Sequence, residues 1–246
     1  MKRPWPLPPL VTHRCGGTLA PENTLIALEF ALAEGCTAVE FDVMLSGSGT
    51  AVLIHDETLE RTTDGVGRVC ETSDEVLLRL DAGAWRAERF AGERIPLFSD
   101  AIRRCQALGI VIDIEIKPAE GFAIETATVA ASMAAEAWPA GAARLPLISS
   151  FSREALCVAA RLAPHLPRAP LFEDIPEDWE STLVALDAVG LICDGSRLRE
   201  ADARAIKASG YGLAVYTEND AEHGRRLRAL GVDTLITDRP DLLADV

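Results

Sequence analysis

The feature that most constrains the fold of this chain is a rhythm. Nine short apolar runs rich in β-branched residues recur along the 246 residues: 10–13, 38–43, 51–56, 111–117, 145–151, 168–172, 189–194, 212–217 and 233–238. Between most of them lie amphipathic stretches, at 21–35, 98–109, 123–138, 152–163, 199–210 and 219–231. Several of these end on a glycine at the position expected after a helix, namely Gly35, Gly109, Gly210 and Gly231. Strand, helix, glycine, strand, repeated, predicts parallel βα units. A doubly wound sheet and a closed TIM (β/α)8 barrel both satisfy it. The barrel is favoured, because polar residues stand at the C-terminal ends of many strands and no glycine-rich dinucleotide turn follows the first one.

Two irregularities refine this. Nine runs exceed eight barrel positions, and "MLSGSGT" between the second and third is too short for a crossover helix. One of that pair is therefore either an accessory strand or no strand at all. The segment 57–96 is longer than an ordinary connection, so it predicts a small insertion over the strand ends. With no linker or low-complexity tract, residues 1–246 are expected to form a single barrel domain.

Charge removes whole classes of function. The formal net charge is -14, from 38 acidic and 24 basic residues, so nucleic acid and anionic membrane surfaces are expected not to be partners. Lys2 and Arg3 are followed by prolines at 4, 6, 8 and 9 rather than an apolar segment, which argues against a signal peptide. No apolar run approaches the roughly 18 residues of a membrane span. The cysteines at 15, 36, 70, 105, 157 and 193 form no CxxC pair and are expected to be reduced thiols of a cytoplasmic protein.

The strand ends carry the chemistry. In a strand, alternate residues share a face, so Glu40 and Asp42 point one way while Val39, Phe41 and Val43 point the other. Asp113, Glu115 and Lys117 likewise oppose Ile112, Ile114 and Ile116. If the isoleucines meet helices, the charged set faces the barrel axis. His13 and His55 end the first and third runs. Alone, each of these residues is explained by solvation or ordinary hydrogen bonding. Together they are a costly cluster without a purpose. Glu40, Asp42 and Glu115 offer hard oxygen ligands suited to one divalent cation, Ca²⁺ or Mg²⁺, with Mn²⁺ also compatible. Arg14 and Lys117 supply anion contacts, and His13 and His55 a general acid and a general base. That combination describes a site that cleaves phosphodiesters.

The motifs "HRCGGTLAPENT", "VEFDV", "IHDETLERTTDGVG", "DIEIKP", "ISSF", "VYTEND" and "LITDRPD" occur in that order over residues 13 to 240. In this the chain resembles the glycerophosphodiester phosphodiesterase family. The resemblance implies a TIM barrel, a divalent metal, and release of sn-glycerol 3-phosphate and an alcohol from a small-molecule glycerophosphodiester. By it, His13 and His55 match the acid–base histidines, Glu40, Asp42 and Glu115 the metal ligands, and Arg14 and Lys117 the phosphate-contacting cations. Three departures stand out. Cys15 replaces the glycine of an HRG motif, Tyr216 replaces the tryptophan of a WTxN pattern, and "SGSG" replaces a "TKDG" turn. A glycine needed for unusual backbone geometry would leave Cys15 strained. Tyr216 would still wall a glycerol moiety, and Phe151 is expected to line the same pocket.

Smaller expectations follow for neighbouring residues. Asn23 or Thr24 caps the first helix. Asp56 either orients His55 or ends a strand, with the structural role favoured, and Asp113 supports the metal site from one layer below. Alternatives on the same barrel are a lysophospholipase D, a phosphoinositide-type phosphodiesterase and a non-catalytic binder of phosphate esters. The polar insertion sequence "TDGVGRVCETSDEV" favours a soluble diester.

Overall fold

The structure, a computed structural model, describes residues 4–246; the basic pair at positions 2 and 3 lies outside the described residues. All nine runs form strands: β1 (Leu10–Thr12), β2 (Ala38–Leu45), β3 (Ala51–Leu53), β4 (Val111–Ile116), β5 (Leu147–Ser150), β6 (Arg168–Phe172), β7 (Gly190–Asp194), β8 (Gly212–Tyr216) and β9 (Thr234–Thr237). Eight of them are parallel neighbours, and β1 pairs with both β2 and β9, which closes a (β/α)8 barrel. The exception is β3. It runs antiparallel to β2, with Val43 opposite Leu53, because the short connection allows a hairpin and no crossover.

The helices are α1 (Leu25–Ala33), α2 (Asp74–Leu77), α3 (Phe98–Leu108), α4 (Ala123–Ala137), α5 (Arg153–Leu162), α6 (Trp179–Leu186), α7 (Glu200–Ala208), α8 (Ala221–Ala229) and α9 (Pro240–Leu243). The four closing glycines all take positive φ, as the sequence predicts. Of the barrel-flanking helices, α6 is the one not expected. It ends on Asp187 in the left-handed region instead of a glycine, and its Val184 is exposed, which blurs the apolar stripe.

Strand alternation sorts the core into two layers. Val39, Phe41, Val43, Ile112, Ile114 and Ile116 pack outward against the helices. Val11, Ala38, Leu147, Ala169, Ile192, Ala214 and Ile236 fill the lower barrel interior. The barrel foot is closed by Trp5, whose Nε1–H donates to Thr234 Oγ1 at 2.9 Å and whose ring occupies the space a side chain on Gly212 would need. At the opposite, C-terminal end the inward positions turn polar.

Residues 57–96 join β3 to α3 as an insertion without strands of its own. Leu59, Val69, Leu77, Ala82 and Ile95 bury themselves against Met44, Val52 and Ile54, giving it a small core continuous with the β2–β3 hairpin. The "SGSG" turn of that hairpin is clasped by Asp74, whose carboxylate accepts from Ser46 Oγ and Thr50 Oγ1, both at 2.5 Å. Among the described residues no helix is long and apolar enough to cross a membrane.

Candidate active site

The loop from β1 to α1 is the most contorted part of the chain. Non-glycine residues with positive φ among the described residues are Arg14, Cys15, Asn23 and Asp187, and three of the four lie in this loop. Left-handed backbone costs an L-residue roughly 1–2 kcal/mol, and such strain concentrates at functional sites. Here it has a visible product. Arg14 N–H donates to Glu40 Oε2 at 2.8 Å, and Cys15 N–H to the Glu40 main-chain carbonyl at 2.8 Å, so the loop grips Glu40 by both its carboxylate and its backbone. Cys15, at φ 71°, carries the strain expected where a glycine is usual, and its thiol is fully buried in the outer core. Gly17 follows against the backbone of Asp238, where a Cβ would overlap the carbonyl group.

Strand register builds the acidic centre. Glu40 sits beside Asp113, and Asp42 beside Glu115, on adjacent strands β2 and β4. Ligand atoms from Glu40, Asp42 and Glu115 all fall within 4.8 Å of one another, and all three residues are buried. Burial pushes Glu40 well above the usual carboxylate range, and the charges of Asp42 and Glu115 push it further. Burial and Asp42 bring Glu115 to about 7. Burial acts upward on Asp42 too, but His55, Lys117 and Arg14 outweigh it and keep its pKa low. Glu40 Oε1 has no hydrogen-bond partner. A buried acceptor without a partner, inside a cluster of mutually repelling oxygens, fits a hard divalent cation.

Two cations flank the cluster. Lys117 Nζ lies 3.4 Å from Glu115 Oε1 and 4.0 Å from Asp42 Oδ1. Arg14 Nε stands 3.8 Å from Asp42 Oδ2, while one terminal nitrogen donates to Glu22 Oε1 at 2.9 Å. Burial disfavours both charges, yet the surrounding carboxylates outweigh it and raise both pKa values. Each cation therefore stays charged at the mouth of the site.

Both histidines are held by carboxylates. His13 Nδ1 is 2.7 Å from Asp238 Oδ1, and Asp238 is itself fixed by Asn219, through Nδ2 at 3.2 Å and through its own N–H to Asn219 Oδ1 at 2.8 Å. His55 Nδ1 is 2.6 Å from Asp56 Oδ1, and Arg61 clamps Asp56 with Nε at 2.5 Å while also bonding Glu22. An ionised carboxylate only accepts, so Nδ1 carries the proton in each ring and Nε2 is left to act in the site. His13 Nε2 lies 3.9 Å from Glu40 Oε2. Burial draws the His55 pKa below its ordinary value, and Lys117 and Arg14 reinforce that against the opposing Asp42 charge. The hydrogen bond from Arg61 takes Asp56 far below the usual carboxylate range.

One cavity of about 460 Å³ collects these groups: His13, Arg14, Glu40, His55, Glu115 and Lys117 line it, with Phe151 and Tyr216 as its aromatic wall. Those two rings meet edge to face, centroids 5.8 Å apart, and Tyr216 O–H donates to the Phe172 carbonyl at 3.1 Å. Asp42 lies just beneath the floor, fully buried. Every site residue expected from the sequence is thus gathered at one barrel end.

Two smaller expectations are corrected. Thr24 occupies the N-cap position of α1 but its side chain makes no capping bond: the hydroxyl donates to the Pro21 carbonyl, and Asn23 turns inward. Its amide donates to Asp42 Oδ2 at 2.8 Å and accepts from Asp42 N–H at 3.2 Å, so it sets a carboxylate rather than a helix end. Asp56 does more than end a strand, since it orients His55. Asp113, in the layer below, is pushed by burial to about 8 against the opposing influence of the neighbouring Ser149 hydroxyl. Glu22, Arg61, Asn219 and Asp238 were not singled out in the sequence. Asp238 closes a strand as His13 does, so its signal was present; Arg61 lies within the irregular insertion and had none.

Carboxylates placed to hold a divalent ion, cations beside them and imidazoles on either flank define a barrel made for phosphate ester chemistry. The comparisons narrow this class. The profile of the glycerophosphoryl diester phosphodiesterase family matches residues 13–242, and the chain belongs to that family of phosphoric diester hydrolases. It is 32% identical over 238 residues to a glycerophosphodiester phosphodiesterase of Caldanaerobacter subterraneus subsp. tengcongensis, covering 96% of each chain. An Oleispira antarctica phosphodiesterase solved with the product sn-glycerol-3-phosphate superposes with a TM-score of 0.91 at 36% identity, covering 97% of this chain and 96% of that one. A glycerophosphodiester phosphodiesterase of Agrobacterium tumefaciens gives a TM-score of 0.80 at 28% identity, over 98% of this chain and 100% of that chain.

Proposed function

We propose that this chain, acting as one cytoplasmic barrel domain, hydrolyses soluble glycerophosphodiesters to sn-glycerol 3-phosphate and an alcohol. The observation that carries the proposal is the meeting of Glu40, Asp42 and Glu115 between two carboxylate-backed histidines. These three residues hold the divalent ion, Ca²⁺, Mg²⁺ or Mn²⁺. Bound there, it supplies Lewis acidity and offsets negative charge on the phosphoryl oxygens. Arg14 and Lys117 grip the phosphate, the first through its fork and the second as a point charge. Phe151 and Tyr216 wall the glycerol moiety. His13 and His55 divide the proton transfers: one Nε2 takes a proton from the nucleophile, and the other gives one to the departing alkoxide. The same two imidazoles serve an attack by water or by the adjacent glycerol hydroxyl.

The test is a panel of glycerophosphodiesters with lysophosphatidylcholine alongside, assayed in EDTA and after restoring each divalent ion. Hydrolysis of the soluble diesters, lost in EDTA and regained with one ion, is expected. Preferential hydrolysis of lysophosphatidylcholine would overturn the substrate assignment.

A further inference from the structure

His13 and Arg14 are walls of two cavities. Beyond the one described, they also border a space of about 430 Å³ on the side of the insertion, closed by Thr18, Glu22, Asp238, Trp85 and Arg86. A phosphodiester has two arms leaving one phosphorus, and two cavities diverging from the phosphate-facing pair match that shape. Their characters differ. The first is floored by barrel side chains, among them Asp113, Ser149 and Ile236, so it accepts an arm of fixed size. The second lies between loops and leaves room for an arm that varies.

We propose that the second cavity is the subsite for the leaving alcohol, that Trp85 is the side chain that discriminates there, and that it favours an ammonium-bearing head group of the choline or ethanolamine class. The proposal rests on the hydrolase function above. Trp85 is 41% exposed, yet its indole N–H is already spent on the Ala82 carbonyl at 2.9 Å. What it offers a ligand is therefore a π surface with no free donor, which suits an alkylammonium better than a polyol. Glu22 and Asp238 add carboxylates to the same walls, the first shared between Arg14 and Arg61 and the second backing His13, so the indole face is the group left to select the ligand. The opposing charge of Arg86 is turned onto the Thr18 carbonyl, a bond that also fastens the insertion to the β1–α1 loop.

The experiment compares kcat/KM of the full chain for glycerophosphocholine and for glycerophosphoethanol, whose leaving alcohol is short and uncharged. In Trp85→Ala the choline-to-ethanol ratio is expected to fall about tenfold, the scale of a partly exposed cation–π contact. In Trp85→Phe, which keeps an aromatic face, it is expected to stay within about threefold of wild type. A ratio unchanged in Trp85→Ala overturns the subsite, whether the two rates hold or drop together. A wild-type chain that turns over neither diester overturns the hydrolase function, and the subsite with it.

Discussion

The acid–base roles proposed for His13 and His55 rest on what stands behind each ring. Asp238 and Asp56 fix the Nδ1 proton, and each aspartate is anchored in turn by Asn219 or Arg61. Replacing either imidazole by alanine should lower kcat by about 10²- to 10⁴-fold, with the fold intact by circular dichroism. Turnover near wild type in both variants would refute the assignment. Asn23 makes a different kind of contribution, since both its amide atoms are committed to Asp42. Asn23→Gly keeps the backbone at φ 54° accessible while removing that grip. It should weaken divalent-ion binding by about 10- to 100-fold, read by calorimetry. Unchanged affinity would leave Asn23 a loop residue only. At position 15 the strain itself can be measured. Cys15→Gly and Cys15→Ala both remove the buried Sγ, and glycine removes only Cβ besides, but only glycine relieves φ 71°, so the glycine variant should be the more stable by about 1 kcal/mol.

At the scale of elements, much of the site was legible because strand geometry is periodic. Alternation alone put Glu40 with Asp42 and Glu115 with Lys117 on inward faces, and register then brought β2 and β4 side by side. The shortness of "MLSGSGT" likewise marked one of its two flanking runs as lying outside the eight barrel positions, and the structure makes that run the antiparallel β3. What alternation cannot show is how a loop folds back. Asn23 reads as a helix cap until the loop turns it toward Asp42, and Arg61 reaches Glu22 and Asp56 from an insertion with no period. The insertion is tied to the hairpin by the Asp74 clasp. Asp74→Ala should destabilise the protein by about 1–3 kcal/mol through two unpaired hydroxyls, with kcat/KM little changed. A large loss of activity at unaltered stability would mean the clasp positions catalytic groups.

Across the whole molecule, an acidic chain with a buried acidic centre has a characteristic dependence on pH. Burial raises Glu40, brings Glu115 to about 7 and Asp113 to about 8. Without a metal, the folded chain thus binds more protons than the unfolded chain between the ordinary carboxylate pKa and pH 8, and stability falls as pH rises through that window. The depressed acids Asp42, Asp56 and Asp238 act in the opposite sense, their stabilisation being lost only as pH falls below about 4, and His55, drawn below its ordinary value, opposes the fall in stability inside the window but is one group against the three raised acids. The melting temperature in EDTA should therefore drop from pH 5 to pH 8, and a divalent ion should raise it more at pH 8. A rise with pH in EDTA would contradict this. The most direct test of the central claim is equilibrium binding of Ca²⁺ and Mg²⁺ to the wild type and to Glu115→Gln, with diester turnover followed in the same titration. The expected result is one ion per chain, activity rising with occupancy, and both lost together in the variant. Full turnover in a chain that binds no ion would contradict it.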